Sequence, residues 1–173
     1  LSEESRARAK AAIVESGLAA NNIPAQFGGG GFSLTEQVVT HEQLGRLTNC
    51  LWVLVWSPSN VLVHGTPDQI TRYLEPDVRG DHRHAYAITE EGAGSDPNMV
   101  RTSARRDGHD WVIDGEKWHV TSGDVADFFI LHAVVDSDPS IPTTFLVDKD
   151  TPGVRLVRTP KYMHTFVFEH PIY

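Results

Sequence analysis

The sequence changes its period once, near residue 82, and no other feature constrains the fold as tightly. Ahead of that point, helix start and stop signals recur. Ser2 opens "SEESRARAKAAIVESG" as a cap and Gly17 closes it. Ser33 and Glu36 have capping-box spacing, and Val38, Val39, Leu44 and Leu47 follow on a helical stripe. Thr66, Pro67 and Gln69 form a third start signal, with Pro76 expected to stop that helix. Between these segments, "NNIPAQFGGGGF" (21–32) reads as a linker, since Pro24 and a run of glycines cannot sustain a helix. "LWVLVWSPSNVLVHG" (51–65) reads as a buried helix kinked or broken at Pro58.

Beyond residue 82, "HRHAYAIT", "FFILHAVV", "TTFLVD", "GVRLVRT" and "TFVFEHPIY" read as strands. Asp107–Gly108 and Asp114–Gly115 predict tight turns, the second flanked by "WVI" and "EKWHV" and giving the stronger hairpin signal. Helices followed by antiparallel strands predict an α+β chain of two domains, residues 1–80 and 81–173. The chain begins without methionine inside a charged stretch and stops on a strand pattern. It is therefore expected to be part of a longer protein, with any targeting peptide outside it.

A formal net charge of −8 argues against a nucleic-acid partner, which demands a basic surface, but not against small anions held by local donors. No apolar run approaches the roughly 20 residues of a membrane helix. Cys50 is the only cysteine, so no disulfide can close within the chain.

"AITEEGAGSD" (87–96) places small, hydrogen-bonding residues directly after a strand pattern. An ordinary turn, a phosphate-cradling loop and a floor for a flat cofactor all have this composition. A Rossmann fingerprint fails, because only Gly92 and Gly94 are present and a hairpin pattern follows where a helix is required. No Gly-Lys-Ser/Thr exists for a P-loop, and no Gly-x-Ser-x-Gly for a nucleophile elbow. His82 and His84 share a strand face without a third ligand, so no metal is expected. Trp111 reads as cross-strand packing. Strict alternation from Lys117 to Ser122 would put His119 and Thr121 on one face and Trp118 on the other.

The segment "AYAITEEGAGSD…DGEKWHVTSGDVADFFILHA" resembles the middle domain of acyl-CoA dehydrogenases, with its Thr-Glu-Pro-Gly-Ala-Gly-Ser-Asp loop and Lys-aromatic-Ile-Thr-Asn-Gly strand. "GLAANNIPAQFGGGGFSLTE", "HEQLGR", "GTPDQITRYLEPDVRGD" and "FLVDKDTPGVRLVR" resemble further motifs of that family, in the same order. The resemblance covers almost the whole chain. It implies an N-terminal helical domain followed by an antiparallel, β-barrel-like middle domain, truncated before a C-terminal helical domain.

It further implies FAD as cofactor, bound by Tyr86, Ala87, Ile88, Thr89, Gly94 and Ser95 of the loop and by His119, Val120 and Thr121 of the following strand, with Ser95 also reaching the acyl-CoA substrate. His119 stands where the family carries a large aromatic, Glu91 where it carries proline and Ser122 where it carries asparagine. The implied reaction is α,β-dehydrogenation of an acyl-CoA thioester, with a glutamate base expected beyond Tyr173; neither Glu90 nor Glu91 takes that role. An acyl-CoA oxidase, a flavin monooxygenase and a non-catalytic acyl-CoA-binding relative are the other readings. Electron-transfer flavoprotein or another acceptor, and a homotetramer or homodimer, are the implied partners. The expected location is the cytoplasm in a bacterium, and the mitochondrial matrix or peroxisome in a eukaryote.

Overall fold

The computed structural model describes residues 2–47, 51–136, 142–161 and 169–173. The chain divides into two compact units, Leu1–Arg83 and His84–Tyr173.

In the first unit, helix α1 (Glu3–Glu15) starts where the Ser2 hydroxyl accepts the Ser5 amide at 3.2 Å. It ends before Gly17, whose φ is +72°. Helix α2 (Leu34–Leu44) carries the complete capping box, with the Ser33 amide donating to the Glu36 carboxylate at 2.7 Å. Its apolar stripe lies on the surface: Val38 is 61% and Val39 55% exposed.

The next helix, α3, runs through three consecutive pieces: Pro67–Gln69, Ile70–Leu74 and Glu75–Val78. Thr66 caps it through the expected box with Gln69. Pro76 does not stop it. The middle piece is a π-helical turn in which the Glu75 N–H donates to the Ile70 carbonyl. That widening admits a proline ring which in a regular helix would strike the carbonyl four residues back.

Residues 51–65 form no continuous helix. Two short 3₁₀ turns, Leu51–Leu54 and Asn60–His64, flank Pro58, which lacks an amide donor and restricts its predecessor. Leu62 is buried, as are Ala20, Ile23, Tyr73, Leu74 and Val78. The Trp56 indole N–H donates to the Val78 carbonyl at 3.0 Å. The 21–32 linker folds back on itself so closely that a Cβ on Gly29 would lie 2.2 Å from the Ile23 carbonyl oxygen.

The second unit is a sheet centred on β4 (Phe128–Val135). One edge of β4 pairs antiparallel with β5 (Pro142–Asp148), from Phe128↔Asp148 to Val134↔Pro142. Its other edge takes two strands in parallel: β1 (His84–Ala87) in register His84↔Phe128, and β2 (Ser103–Asp107) in register Ser103↔Val134. β2 turns at Asp107–Gly108, as its sequence predicts, into antiparallel β3 (Asp110–Asp114).

The sheet is thus mixed and, among the described residues, open rather than barrel-closed; the α+β class stands. Residues 88–102 and 115–127 supply the long connections that parallel pairing requires.

The expected hairpin at Asp114–Gly115 does not form. Gly115 is pressed against Thr102, and the chain from Lys117 onward pairs with residues 169–173 instead of β3. "GVRLVRT" contributes one isolated bridge, Arg158↔Ile172, instead of a strand. Residues 165–168 of the last expected strand lie outside the described residues. Trp111 packs as expected, edge-on to Phe145 at 5.3 Å and under the Arg106 guanidinium at 4.6 Å. His84 lies 6.2 Å from the Phe128 ring.

Candidate functional site: a donor loop beside a bulged segment

Lys117 and Tyr173 exchange both backbone hydrogen bonds, at 2.8 and 3.0 Å. The next contacts are Val120 N–H to the Pro171 carbonyl and Ser122 N–H to the Glu169 carbonyl, both at 2.9 Å. The segment therefore advances three residues (117 to 120) while its partner retreats two (173 to 171). The extra residue makes a bulge, and His119 absorbs it with a left-handed φ of +52°.

This corrects the strict alternation expected from sequence. Lys117 and Val120 point into the core, Trp118 is half-buried and His119 exposed. The two rings stand edge to face at 5.9 Å, and neither belongs to the core cluster of Ala85 and Phe129 or to that of Ala93 and Val134. Thr121 is exposed, its hydroxyl 3.0 Å from Nδ1 of His170.

The loop after β1 turns back at once. Glu90 and Ala93 exchange backbone hydrogen bonds at 3.0 and 3.1 Å, closing a tight turn through Glu91 and Gly92. The Glu90 carboxylate reaches inward, where it accepts the Arg101 amide at 2.8 Å, the Thr102 amide at 2.9 Å, the Thr102 hydroxyl and the Lys117 ammonium at 2.8 Å. Burial pushes this carboxyl up, but those donors outweigh it and hold it down at about 2. Burial lowers Lys117, against the attraction of Glu90. Burial also lowers His132 on β4, reinforced by the Lys117 charge.

The result is a sorting of hydrogen-bonding groups. The carbonyls of Ile88, Thr89 and Glu90 accept from the Lys117 ammonium (3.0 Å), the Trp118 amide (2.8 Å) and the Ala93 amide (3.1 Å) respectively. Among the described residues, the amides of Gly94 and Ser95 and the hydroxyls of Thr89 and Ser95 make no hydrogen bond. Gly94 and Ser95 are exposed, and a Cβ built on Gly94 meets nothing within 4 Å. The loop offers donors outward and spends these acceptors inward. That polarity suits a ligand edge rich in carbonyl or phosphate oxygens.

The residues expected at the cofactor fall on two stretches, 86–95 and 119–121, linked by the Trp118 amide on the Thr89 carbonyl and by the packing of Ala87 with Val120. Tyr86 is 47% exposed, Thr89 and Ile88 are half-buried, and Ile88 packs on the cluster of Ala93, Val100 and Val134. Ala87 and Val120 are 2% and 1% exposed in one shared core cluster, so only their backbone can face a ligand. Spacing alone missed Lys117 and His170. The one hint for Lys117 was the lysine that opens the family's Lys-aromatic-Ile-Thr-Asn-Gly strand; His170 gave none.

The sequence pattern described as acyl-CoA dehydrogenase, N-terminal domain, matches residues 3–81, and that described as acyl-CoA dehydrogenase, middle domain, matches residues 85–166. The chain is similar to the 3-(aryl)acrylate reductase of Clostridium sporogenes, with 32% identity over 149 residues, covering 82% of this chain and 40% of that protein. It superposes on a glutaryl-CoA dehydrogenase from Mycobacterium smegmatis in complex with FADH2, with TM-score 0.80 and 25% identity over 96% of this chain and 43% of that one. It also superposes on the prolyl acyl carrier protein oxidase AnaB, with TM-score 0.79 and 32% identity over 92% of this chain and 45% of that one. The chain thus spans about two fifths of the length of the relatives it matches.

Proposed function

This chain belongs to the acyl-CoA dehydrogenase family, and on that footing we propose that the protein containing it is a flavin-dependent oxidoreductase that desaturates an acyl-CoA thioester at its α,β positions. The observation that carries the reading is the outward donor set of Thr89, Gly94 and Ser95, backed by three inward-held carbonyls. FAD, when bound, would supply the acceptor for the β-hydrogen as hydride at its N5 atom. Thr89 and the Gly94 and Ser95 amides would donate to flavin carbonyl and phosphate oxygens, and the Ser95 hydroxyl would also reach the thioester. Tyr86, Ile88 and the backbone of Ala87 and Val120 would form the floor, with His119 and Thr121 on the bulged side.

Glu90 is not the base that removes the α-proton. Its carboxylate is engaged by four donors and reaches inward, away from the open loop. By the same reading the base would lie in the part of the family's length that this chain, about two fifths of these relatives, does not span. Electron-transfer flavoprotein or another acceptor would reoxidise the enzyme, and a homo-oligomer is part of the same proposal.

The test uses the full-length protein: identify the flavin released on denaturation, then add a panel of acyl-CoA thioesters and follow bleaching of the flavin band. Bleaching by the thioester without air, return of the band when an artificial electron acceptor is added, and no hydrogen peroxide in air support a dehydrogenase. Peroxide formation in air favours the oxidase reading, to which the similarity with AnaB lends weight. A protein that carries no flavin and takes none up defeats the reading.

A further inference from the structure

Glu90 and Lys117 form a buried ion pair, their side chains 11% and 3% exposed, between residues 27 positions apart. Cohesion alone accounts poorly for two charges taken out of water, because apolar residues of similar volume commonly serve stability as well or better. What the charges do here is directional. The ammonium draws the Ile88 carbonyl inward at 3.0 Å, and the carboxylate gathers the Arg101 and Thr102 amides. Directly after Lys117 comes the Trp118 amide that holds the Thr89 carbonyl. Every inward-turned group that leaves the loop's donors facing out lies within two residues of this pair.

We propose that Glu90 and Lys117 are positioning residues for the cofactor: their ion pair sets the spacing between the donor loop at 89–95 and the bulge at 118–119, and so governs how tightly the flavin is held and in what electronic environment. The inference rests on the flavin reading above. Neither side chain need touch the flavin. They act through Ile88, Thr89 and Trp118.

The experiment compares full-length wild type with Lys117→Met, Glu90→Gln, the double variant and Lys117→Arg. Four quantities are read: FAD affinity by fluorescence titration of apoprotein, the absorption spectrum and reduction potential of the bound flavin, and hydrogen exchange of the Trp118 amide in apoprotein. Each neutralising single variant is expected to lose at least tenfold in FAD affinity, to shift the flavin spectrum and potential, and to exchange the Trp118 amide faster. Lys117→Arg should recover much of the affinity. The double variant should lose less affinity than either single, since no unpaired charge stays buried, yet keep a shifted spectrum. If Lys117→Met does not fold, Glu90→Gln, which preserves shape and an accepting oxygen, carries the test. Variants that bind FAD with wild-type affinity, spectrum and potential, and are only less heat-stable, overturn the proposal and leave the flavin reading intact. A wild-type protein that takes up no flavin overturns both.

Discussion

The backbone N–H of Trp118 donates to the carbonyl of Thr89 at 2.8 Å, so the ring-bearing bulge and the donor loop meet through main chain. Removing the Trp118 ring leaves that bond in place. The ring itself is half-buried, 5.5 Å under the Arg158 guanidinium, with its indole N–H on Glu116 at 2.6 Å. Trp118→Ala is therefore expected to cost about 1–2 kcal/mol, below the roughly 3–5 kcal/mol of a fully buried aromatic. Urea unfolding of the two proteins measures it, and a loss at the full core value would place the ring inside.

His119 adopts φ +52°, a region that suits glycine and strains β-branched residues. His119→Gly should leave stability unchanged or raise it by up to about 1 kcal/mol, while His119→Val should lower it by about 1–2 kcal/mol. Equal stability of these two variants would contradict the bulge. Flavin retention, measured in parallel, reports separately whether the imidazole helps to hold the flavin.

Two glycines of the second unit should separate fold from function. A Cβ on Gly115 would lie 2.4 Å from the Thr102 hydroxyl oxygen and 2.8 Å from its Cα, and Thr102 is itself held by Glu90. Gly115→Ala is expected to destabilise by about 2–3 kcal/mol through overpacking. A Cβ on Gly94 meets nothing. Gly94→Ala should stay within about 0.5 kcal/mol of wild type in stability, as for an open surface site, yet weaken FAD binding by blocking close approach. Thermal melts of apoprotein together with FAD titration decide both halves; unimpaired FAD binding by Gly94→Ala would remove that glycine from the cofactor surface.

Acid should expose the Glu90 interaction. Its folded value of about 2 lies below the ordinary 4.5, so the carboxylate contributes stability in full above pH 4.5. That contribution fades as pH falls toward 2 and amounts to roughly 2–4 kcal/mol. Relative to Glu90→Gln, wild type should be more stable near neutrality and lose the advantage across that window. A difference that does not change between pH 5 and pH 2 would show that the charge is not the source of the stability.

Much of the second unit's local structure could be read directly, and the part that could not has a common cause. Asp107–Gly108 makes its turn because the two residues and their flanks supply everything a tight hairpin needs. Asp114–Gly115 has the same local chemistry and makes no hairpin, because Gly115 is pinned against Thr102 and the following residues find partners at 169–173. Local preference was satisfied in one place and outbid in the other by contacts from far along the chain.

The sequence by itself determined the capped helix starts at Ser33 and Thr66, the one reversal at Asp107–Gly108, the α+β class and, through the ordered run of motifs, the family. Each is written in residues a few positions apart, where backbone geometry and short side-chain reach settle the outcome. Only the tertiary structure decided that β1 and β2 run parallel to β4, that a π turn carries α3 past Pro76, and that His119 bulges out of an alternating strand. Tertiary contacts also turned Glu90 inward to Lys117, leaving the donors of Thr89, Gly94 and Ser95 outward. A buried charge takes the partner that packing brings within reach, and for these two residues that partner lies 27 positions away, beyond what any local pattern encodes.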